Sequence, residues 1–382
     1  MSGAHRVGVN LLWLVPGVVG GSEEYTVRLL HGLADLDPPD FEVELLALDA
    51  LRHAHPDLVA RFPTRSIGLR GWAKPLRVAA ETTWLPAVAR SRRLDLVHHA
   101  GGVVPLVRGV PAVLTIHDLQ PLDLPRNFGR AKVAYLRAML PRSVRAARVV
   151  VTPSRAAGDR VAERLGLDRA RVRTVPHGLG PELFDTVPAA EVDRVRRCWD
   201  LRGPWILYPV ITYAHKNHAT LVRAFAALAE RHPDAHLVLA GGEGPAEAEV
   251  RAAVAASGAA DRVRRTGRVS RADLDALFAG AAAVAFPSRY EGFGIGALEA
   301  MARGAPVVVA DATALPEVVG PAGTLVPPDD VAGWARALSD LLDDPVAARR
   351  QAEAGRARAR AFTDAAAATA LLDAYRAALT ET

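Results

Sequence analysis

The sequence is organised by short apolar runs of strand length that alternate with longer stretches of helical pattern, and the alternation restarts near the middle of the chain. In the first half the runs are RVGVNLLWLV, FEVELLAL, DLVHH, AVLTIHD, ARVVVTPS and RVRTVPHG. Helical stretches separate several of them, at SEEYTVRLLHGLADL and near 73–90, 129–147 and 154–165; Ser22 is the expected N-cap of the first. Continuous apolar runs suit strands buried on both faces, with the intervening helices as cover. The chain therefore reads as α/β with parallel sheets.

GLGPELFDTVPAAE, rich in glycine and proline, interrupts the pattern as a linker. Beyond it PWILYPV, AHLVLAGG, DRVRRTG, AAVAFPS, APVVVAD and GTLVP read as strands. Helices are expected near 217–231, 245–257 and 270–280, and the end is helical from about 329. At 382 residues the chain exceeds one ordinary core. Two doubly wound, Rossmann-like domains facing a central cleft are expected, divided at 187/188, with ligands beyond the carboxyl ends of the strands.

Half the residues are hydrophobic and 23% are charged, which excludes a disordered chain. The opening MSGAHRVGVNLLWLVPGVVGG has the outline of a signal peptide. It lacks a small-residue cleavage site, and Glu23 and Glu24 follow at once, so it reads as a buried first strand. No uncharged apolar run reaches the 18 or so residues of a membrane span. The single cysteine, Cys198, allows no internal disulfide and suits a cytoplasmic protein.

Charge is uneven. Residues 1–190 hold 25 Lys+Arg and 18 Asp+Glu, and residues 191–382 hold 22 and 24. The plain reading is a solvated, arginine-rich surface. The sharper one is a first half that meets an anionic partner: a membrane surface at the periphery, a phosphorylated acceptor or a nucleic acid. No zinc-finger spacing or aromatic-rich RNA motif backs the last, so no nucleic acid is expected. Only three of the 47 basic residues are lysines, Lys74, Lys132 and Lys216, which singles each of them out.

The densest cluster of site-building residues is RYEGFGIGALEA, from Arg289 to Ala300. Glu291 and Glu299 stand eight residues apart, with glycines at 292, 294 and 296 between them. Glycines let the backbone approach a ligand, and a helix starting near Gly294 would offer amides to an anion. Carboxylates at both ends suit the hydroxyls of two sugars flanking a diphosphate, the layout of a nucleotide sugar. The alternative is a surface loop leading into an ordinary amphipathic helix.

Other stretches add to this one. Lys216, at a strand-to-helix turn, is placed to neutralise phosphate, with His215 either assisting or an ordinary surface residue. Gly241 and Gly242 end a strand, where they admit a ligand or a neighbouring element. Gly20 and Gly21 close the first strand as a Gly-rich loop entering a helix, either for phosphate or sugar contact or as a tight turn. His117, beside Asp118 at another strand's end, can exchange a proton near neutral pH or be a satisfied structural residue. His53/His55 and His98/His99 lack a third ligand at metal spacing. The D-x-D pairs Asp35/Asp37 and Asp273/Asp275 fall in or beside surface helices, so no metal is expected.

Over nearly its whole length the sequence resembles glycosyltransferase family 4, retaining enzymes of the GT-B fold. FPSRYEGFGIGALEAMARGAPVVVADATALPEVVG is similar to that family's E-x7-E signature and its continuation, and GGSEEYTVRLLHGLA, VLTIHDL, VVVTPSRAAGDRVAERLG and TVPHGL are similar to other family stretches. The resemblance implies a transferase that moves a sugar from a nucleoside-diphosphate sugar to an acceptor hydroxyl, without a metal or other cofactor. The acceptor is left open: a glycan, a lipid-linked sugar or a small natural product.

On this resemblance Glu291 would contact the donor sugar and offset charge at its anomeric carbon, and Glu299 would bind the ribose. Lys216 and the amides around Phe293, Gly294 and Ile295 would hold the diphosphate. Gly20 and Gly21 would approach the donor, and His117 would sit by the reacting sugar and acceptor. FTDAAAATALLDAYRAALT, within 362–382, would return to the first domain, leaving 188–361 as the nucleotide-sugar domain. Two departures stand out. Val210 stands where many members carry arginine and His215 where others carry it, and Gly296 stands where proline is frequent, which would loosen the loop. An epimerase on the same fold, or a protein that binds a nucleotide sugar without chemistry, are the alternatives.

Overall fold

The structure, a computed structural model, describes residues 4–18, 20–69, 71, 73–107 and 109–380. The chain forms two units, Met1–Gly180 with Phe362–Thr382, and Pro181–Ala361. The division thus falls at Gly180/Pro181 rather than at 187/188. The reason is local: Leu183 is buried in the turn Pro181–Phe184, the Phe184 carbonyl accepts from Arg356, and the Asp185 carbonyl accepts from Arg303 Nη1 at 3.0 Å. These residues are anchored to the second unit before the expected linker ends.

In the first unit seven strands form one parallel sheet: β1 His5–Leu11, β2 Phe41–Leu48, β3 Thr64–Ile67, β4 Leu96–His99, β5 Ala112–Thr115, β6 Val149–Thr152 and β7 Val172–Thr174. Their order is β3-β2-β1-β4-β5-β6-β7. Val7 pairs with Val43 on one side and Leu96 on the other, which fixes the central register. Val43, Leu45 and Ala47 join the core on one face, while Leu46 and Leu48 join apolar clusters on the other. Burial on both faces is why these strands read as unbroken apolar runs.

The helix Asp364–Thr380 belongs to this unit. Its Leu371, Leu372 and Tyr375 share a core with Leu29, Leu30 and Leu33 of the helix Gly21–Leu36. Tyr375 Oη lies 2.9 Å from His98 Nδ1, and Arg148 Nη1 donates to the Ala378 carbonyl at 2.9 Å. At Gly32 any Cβ would run into the Asp364 backbone, so glycine sets how closely the two helices approach.

Two local expectations are corrected. The first helix begins at Gly21 with Gly20 at its N-cap, and Ser22 lies inside it. Gly20 has φ 63°, a left-handed conformation that turns the chain into the helix two residues early. The helical stretch near 73–90 is two helices, Lys74–Thr82 and Trp84–Ser91. Pro86 has no N–H to donate to the Thr82 carbonyl, so one continuous helix would lose that bond.

The second unit holds six parallel strands: β8 Trp205–Pro209, β9 His236–Ala240, β10 Val263–Gly267, β11 Ala283–Phe286, β12 Val307–Ala310 and β13 Thr324–Val326. Their order is β10-β9-β8-β11-β12-β13. The chain builds outward from β8 to β10, then returns to place β11 on the other side of β8. The strand order therefore reverses between β8 and β11, and the loops beyond their carboxyl ends bound the crevice where such sheets take ligands.

Candidate active site

The loops that leave β8 and β11 bring Lys216 and Glu291 together. Lys216 Nζ donates to Glu291 Oε1 at 2.7 Å, and the side chains are only 19% and 14% exposed. Lys216 ends the 3-10 turn Ala214–Lys216, and Asn217 follows at φ 58° as N-cap of the helix His218–Ala229. That left-handed residue is what lets the chain change from one helix to the next; asparagine tolerates it better than most.

The two loops are fastened to each other. The buried Tyr208 hydroxyl donates to the Lys216 carbonyl at 2.6 Å and lies 3.2 Å from Ser288 Oγ. Asn217 Nδ2 donates to the Pro287 and Pro328 carbonyls at 3.1 and 2.7 Å. Arg289 N donates to the His215 carbonyl at 2.8 Å, and Glu291 N to Thr313 Oγ1 at 2.9 Å. Burial holds the Tyr208 hydroxyl well above its usual pKa, so it stays a neutral donor. The ammonium and the carboxylate are thus held by their backbones as well as by each other.

His215 is buried beside this pair, and its Nδ1 has no hydrogen-bond partner among the described residues. Burial first, and the Lys216 charge second, lower its pKa to about 4. It is therefore neutral at pH 7 and adds no cation to the site.

Gly294, at φ 100°, is the N-cap of the helix Ile295–Ala302. A Cβ there would lie 2.6 Å from Leu315 Cδ2, so the position is closed to other residues on two counts. Phe293 is buried and anchors the loop; Ala297 N and Leu298 N donate to the Gly294 carbonyl at 3.0 and 3.5 Å, which leaves the Ile295 and Gly296 amides as the leading donors of the helix. A Cβ on Gly296 would sit 2.9 Å from Phe286 Cε1. The glycine that was expected to loosen this loop is instead filled by an aromatic ring.

Glu299 lies in the same helix, 8% exposed, with Arg271 Nη1 at 2.8 Å from its Oε1. Arg271 Nη2 also meets Asp275 Oδ1 at 2.8 Å, and Asp275 Oδ2 meets Arg303 Nη2 at 2.7 Å. Arg271 escaped sequence reading; its only signal is its place at the start of the helix after β10. Asp273 is taken up by Arg194 Nη2 at 2.6 Å. Among the described residues no three His, Cys, Asp or Glu side chains gather in a way that could hold a metal ion.

Gly241 and Gly242 are explained without a ligand. A Cβ at Gly241, φ 140°, would strike the Val210 carbonyl, and one at Gly242 would lie 3.1 Å from Arg268 Nε. Their bareness lets the loop after β9 lie against the loop after β8, where Thr212 Oγ1 accepts from Gly244 N at 2.7 Å.

The remaining candidates lie in the first unit. Nothing among the described residues lies within 4 Å of a Cβ placed on Gly20 or Gly21. Gly20 is therefore needed for its φ rather than for close packing, while Gly17 N donates to Glu23 Oε2 at 2.8 Å and closes the loop. His117 follows β5, with Nε2 3.2 Å from the Ala100 carbonyl. The rings of Tyr25 and Trp13 stand 5.2 and 6.0 Å away. Burial lowers its pKa to about 4, so at pH 7 it is a neutral imidazole whose Nδ1 can accept a proton. His98 binds Tyr375 and Thr115, and His55 Nε2 lies 2.8 Å from Glu23 Oε1, so these histidines are structural.

Comparison with known proteins bears on both units. A family model described as glycosyl transferases group 1 matches residues 200–358, and one described as glycosyltransferase family 4 matches residues 19–183. The chain is 32% identical over 356 residues to the 2-deoxystreptamine N-acetyl-D-glucosaminyltransferase of Streptomyces fradiae, covering 85% of this chain and 83% of that one. It is 30% identical over 290 residues to the O-antigen chain mannosyltransferase B of Escherichia coli, covering 74% of each. The crystal structure of Anabaena HepE in complex with UDP-glucose superimposes with a TM-score of 0.76 at 19% identity, covering 97% of this chain and 99% of that one. That likeness establishes the fold, GT-B with two Rossmann-like α/β units.

Proposed function

The chain belongs to the group 1 glycosyl transferases, with a family 4 first half, and from that premise we propose that it uses a nucleoside-diphosphate sugar, retains the anomeric configuration and needs no metal ion. The observation that carries this reading is the Lys216–Glu291 pair at the strand-order reversal of the second unit. A diphosphate entering there replaces Glu291 as the counter-charge of Lys216. The lysine and the leading amides of the helix Ile295–Ala302 then stabilise the diphosphate as it leaves. Glu291, released, accepts from hydroxyls of the donor sugar and offsets positive charge at its anomeric carbon.

In the reaction the bond from the anomeric carbon to the phosphate oxygen breaks, a bond to the acceptor oxygen forms, and the proton of the acceptor hydroxyl passes to an oxygen of the departing diphosphate. His117 is assigned to the acceptor side, where its neutral imidazole can hydrogen-bond and orient the acceptor hydroxyl. Glu299 reads the ribose, exchanging Arg271 for sugar hydroxyls. Gly20 and Gly21 supply unobstructed backbone to the donor.

UDP-glucose, present in the Anabaena HepE complex, is the first donor to try. Transfer is followed by release of nucleoside diphosphate from wild type, Glu291→Ala and Lys216→Ala proteins, with and without EDTA. Losses of at least about tenfold in both variants are expected, with no effect of the chelator. Near-normal rates in both variants would sink the site, and abolition by EDTA would sink the metal-free part.

A further inference from the structure

The first unit contains a cavity of about 690 Å³ that the donor chemistry does not use. It is walled by the helices Lys74–Thr82 and Arg130–Ala146 and by the segments that follow β1 and β4, at Trp13 and at Gly101 and Val103. In this sheet β1 stands between β2 and β4, so the strand order reverses here too. The cavity occupies the place where a doubly wound sheet takes a ligand.

Its lining combines two chemistries. Lys74 and Lys132, two of only three lysines in the chain, both line it. Neither makes an ion pair among the described residues, and Lys132 Nζ sits 4.7 Å above the Phe128 ring. Burial, and then the Lys74 charge, lower the Lys132 pKa, while Asp118 acts in the opposite direction. Two ammonium groups close enough to disfavour each other are stabilised by an anion between them. Arg77 is different: its Nη1 donates to the Trp13 carbonyl at 2.8 Å and fixes the wall. Glu81, the lining carboxylate, accepts from Asn10 Nδ2 at 3.3 Å, and burial raises its pKa.

The rest of the lining is apolar. Val78 and Tyr135 are 43% and 41% exposed, unusual for large apolar side chains, and Val103 and Leu136 continue the surface. The indole nitrogen of Trp13 is a buried donor with no partner among the described residues.

We propose that this cavity is the acceptor site and that the acceptor carries a phosphate on an apolar body, the phosphate lying between Lys74 and Lys132. Lysine holds phosphate as a point charge, which suits a group whose orientation is set by the apolar contacts instead. The proposal rests on the assignment of His117, a residue of the same unit, to the acceptor side.

The test needs no donor and no turnover, so it succeeds or fails independently of the donor site. The full chain is titrated calorimetrically at pH 7.5 with octyl phosphate, octyl glucoside and inorganic phosphate. Octyl phosphate is expected to bind about tenfold more tightly than either of the others, and each of Lys74→Ala and Lys132→Ala to remove most of that advantage. Neither lysine belongs to the packed core, and an unchanged unfolding midpoint confirms that the variants fold. Phosphatidylglycerol and phosphatidylcholine vesicles separate the sources. Selective binding to the former that the double variant loses puts the phosphate on a lipid, and octyl phosphate binding without vesicle binding puts it on a soluble acceptor. Equal affinity for octyl phosphate and octyl glucoside, or a double variant that binds octyl phosphate as wild type does, overturns the proposal.

Discussion

Arg271 Nη1 stands 2.8 Å from Glu299 Oε1, so the carboxylate assigned to the ribose has a counter-cation within its own unit. Glu299 is 8% exposed, and losing that cation leaves a desolvated charge, whereas Asp275 keeps Arg303 at 2.7 Å. Arg271→Ala is expected to cost about 1–2 kcal/mol in urea unfolding, below the range for a fully buried pair because the arginine side chain is partly exposed. The substitution also removes the group that orients the Glu299 carboxylate, so the KM for donor should rise in the variant. An unchanged KM would separate Glu299 from the donor.

Lys216 and Glu291 should fail in different ways although they touch. On the proposed reading Lys216 meets the diphosphate in the ground state and in the transition state, so Lys216→Ala should raise KM for the donor by about tenfold or more and lower kcat as well. On the same reading Glu291 acts chiefly where charge develops, so Glu291→Ala should lower kcat by about a hundredfold with a smaller change in KM. Steady-state kinetics on both variants checks this. The reverse pattern would exchange their roles.

Gly296 is held bare by Phe286. A methyl at 296 would sit 2.9 Å from Phe286 Cε1, and that ring is 2% exposed in β11. Alanine gains about 1 kcal/mol of helix propensity over glycine, but overpacking a fixed ring costs about 1–3 kcal/mol. Gly296→Ala should therefore be neutral to destabilising on the wild-type background. On a Phe286→Leu background the same change should stabilise. A double-mutant cycle by urea unfolding measures the coupling, and additivity would mean that the ring moves freely aside.

How much of this was legible follows from what each signal depends on. Strands such as Val149–Thr152 and Val307–Ala310 are buried on both faces and announce themselves as apolar runs. Thr64–Ile67 does not: it is a four-residue edge strand without a buried residue, so no apolar run marks it. Glu291, Glu299 and Lys216 could be singled out in the sequence, but their partners could not. Lys216 meets Glu291 across 75 residues only because β8 and β11 are neighbours, and Arg271 meets Glu299 from a different helix. Gly241 shows the limit in the other direction. Glycine looks the same in sequence whether a ligand or, as here, the Val210 carbonyl lies against it. Lys74 and Lys132 were visible through rarity alone, and the fold supplies the shared cavity.

Burial is the largest cause of the lowered pKa of His98 and His177, each to about 3, and of His117, His215 and His218, each to about 4. In the unfolded chain these imidazoles titrate near their ordinary value of about 6.5. Between that value and their native pKa values the unfolded state binds more protons, so stability rises with pH across this window. Their contribution is complete above about pH 6.5 and is lost as pH falls through 6 toward 4. The unfolding midpoint should therefore be nearly level from pH 7 to 8 and fall steeply from pH 6 to 4.5. His98→Asn removes one titrating group while leaving a side chain that can bond Tyr375 and Thr115, and should make that fall shallower. The groups lie in both units, so a midpoint that held steady from pH 7 to 4.5 would mean that the imidazoles are hydrated rather than packed as described.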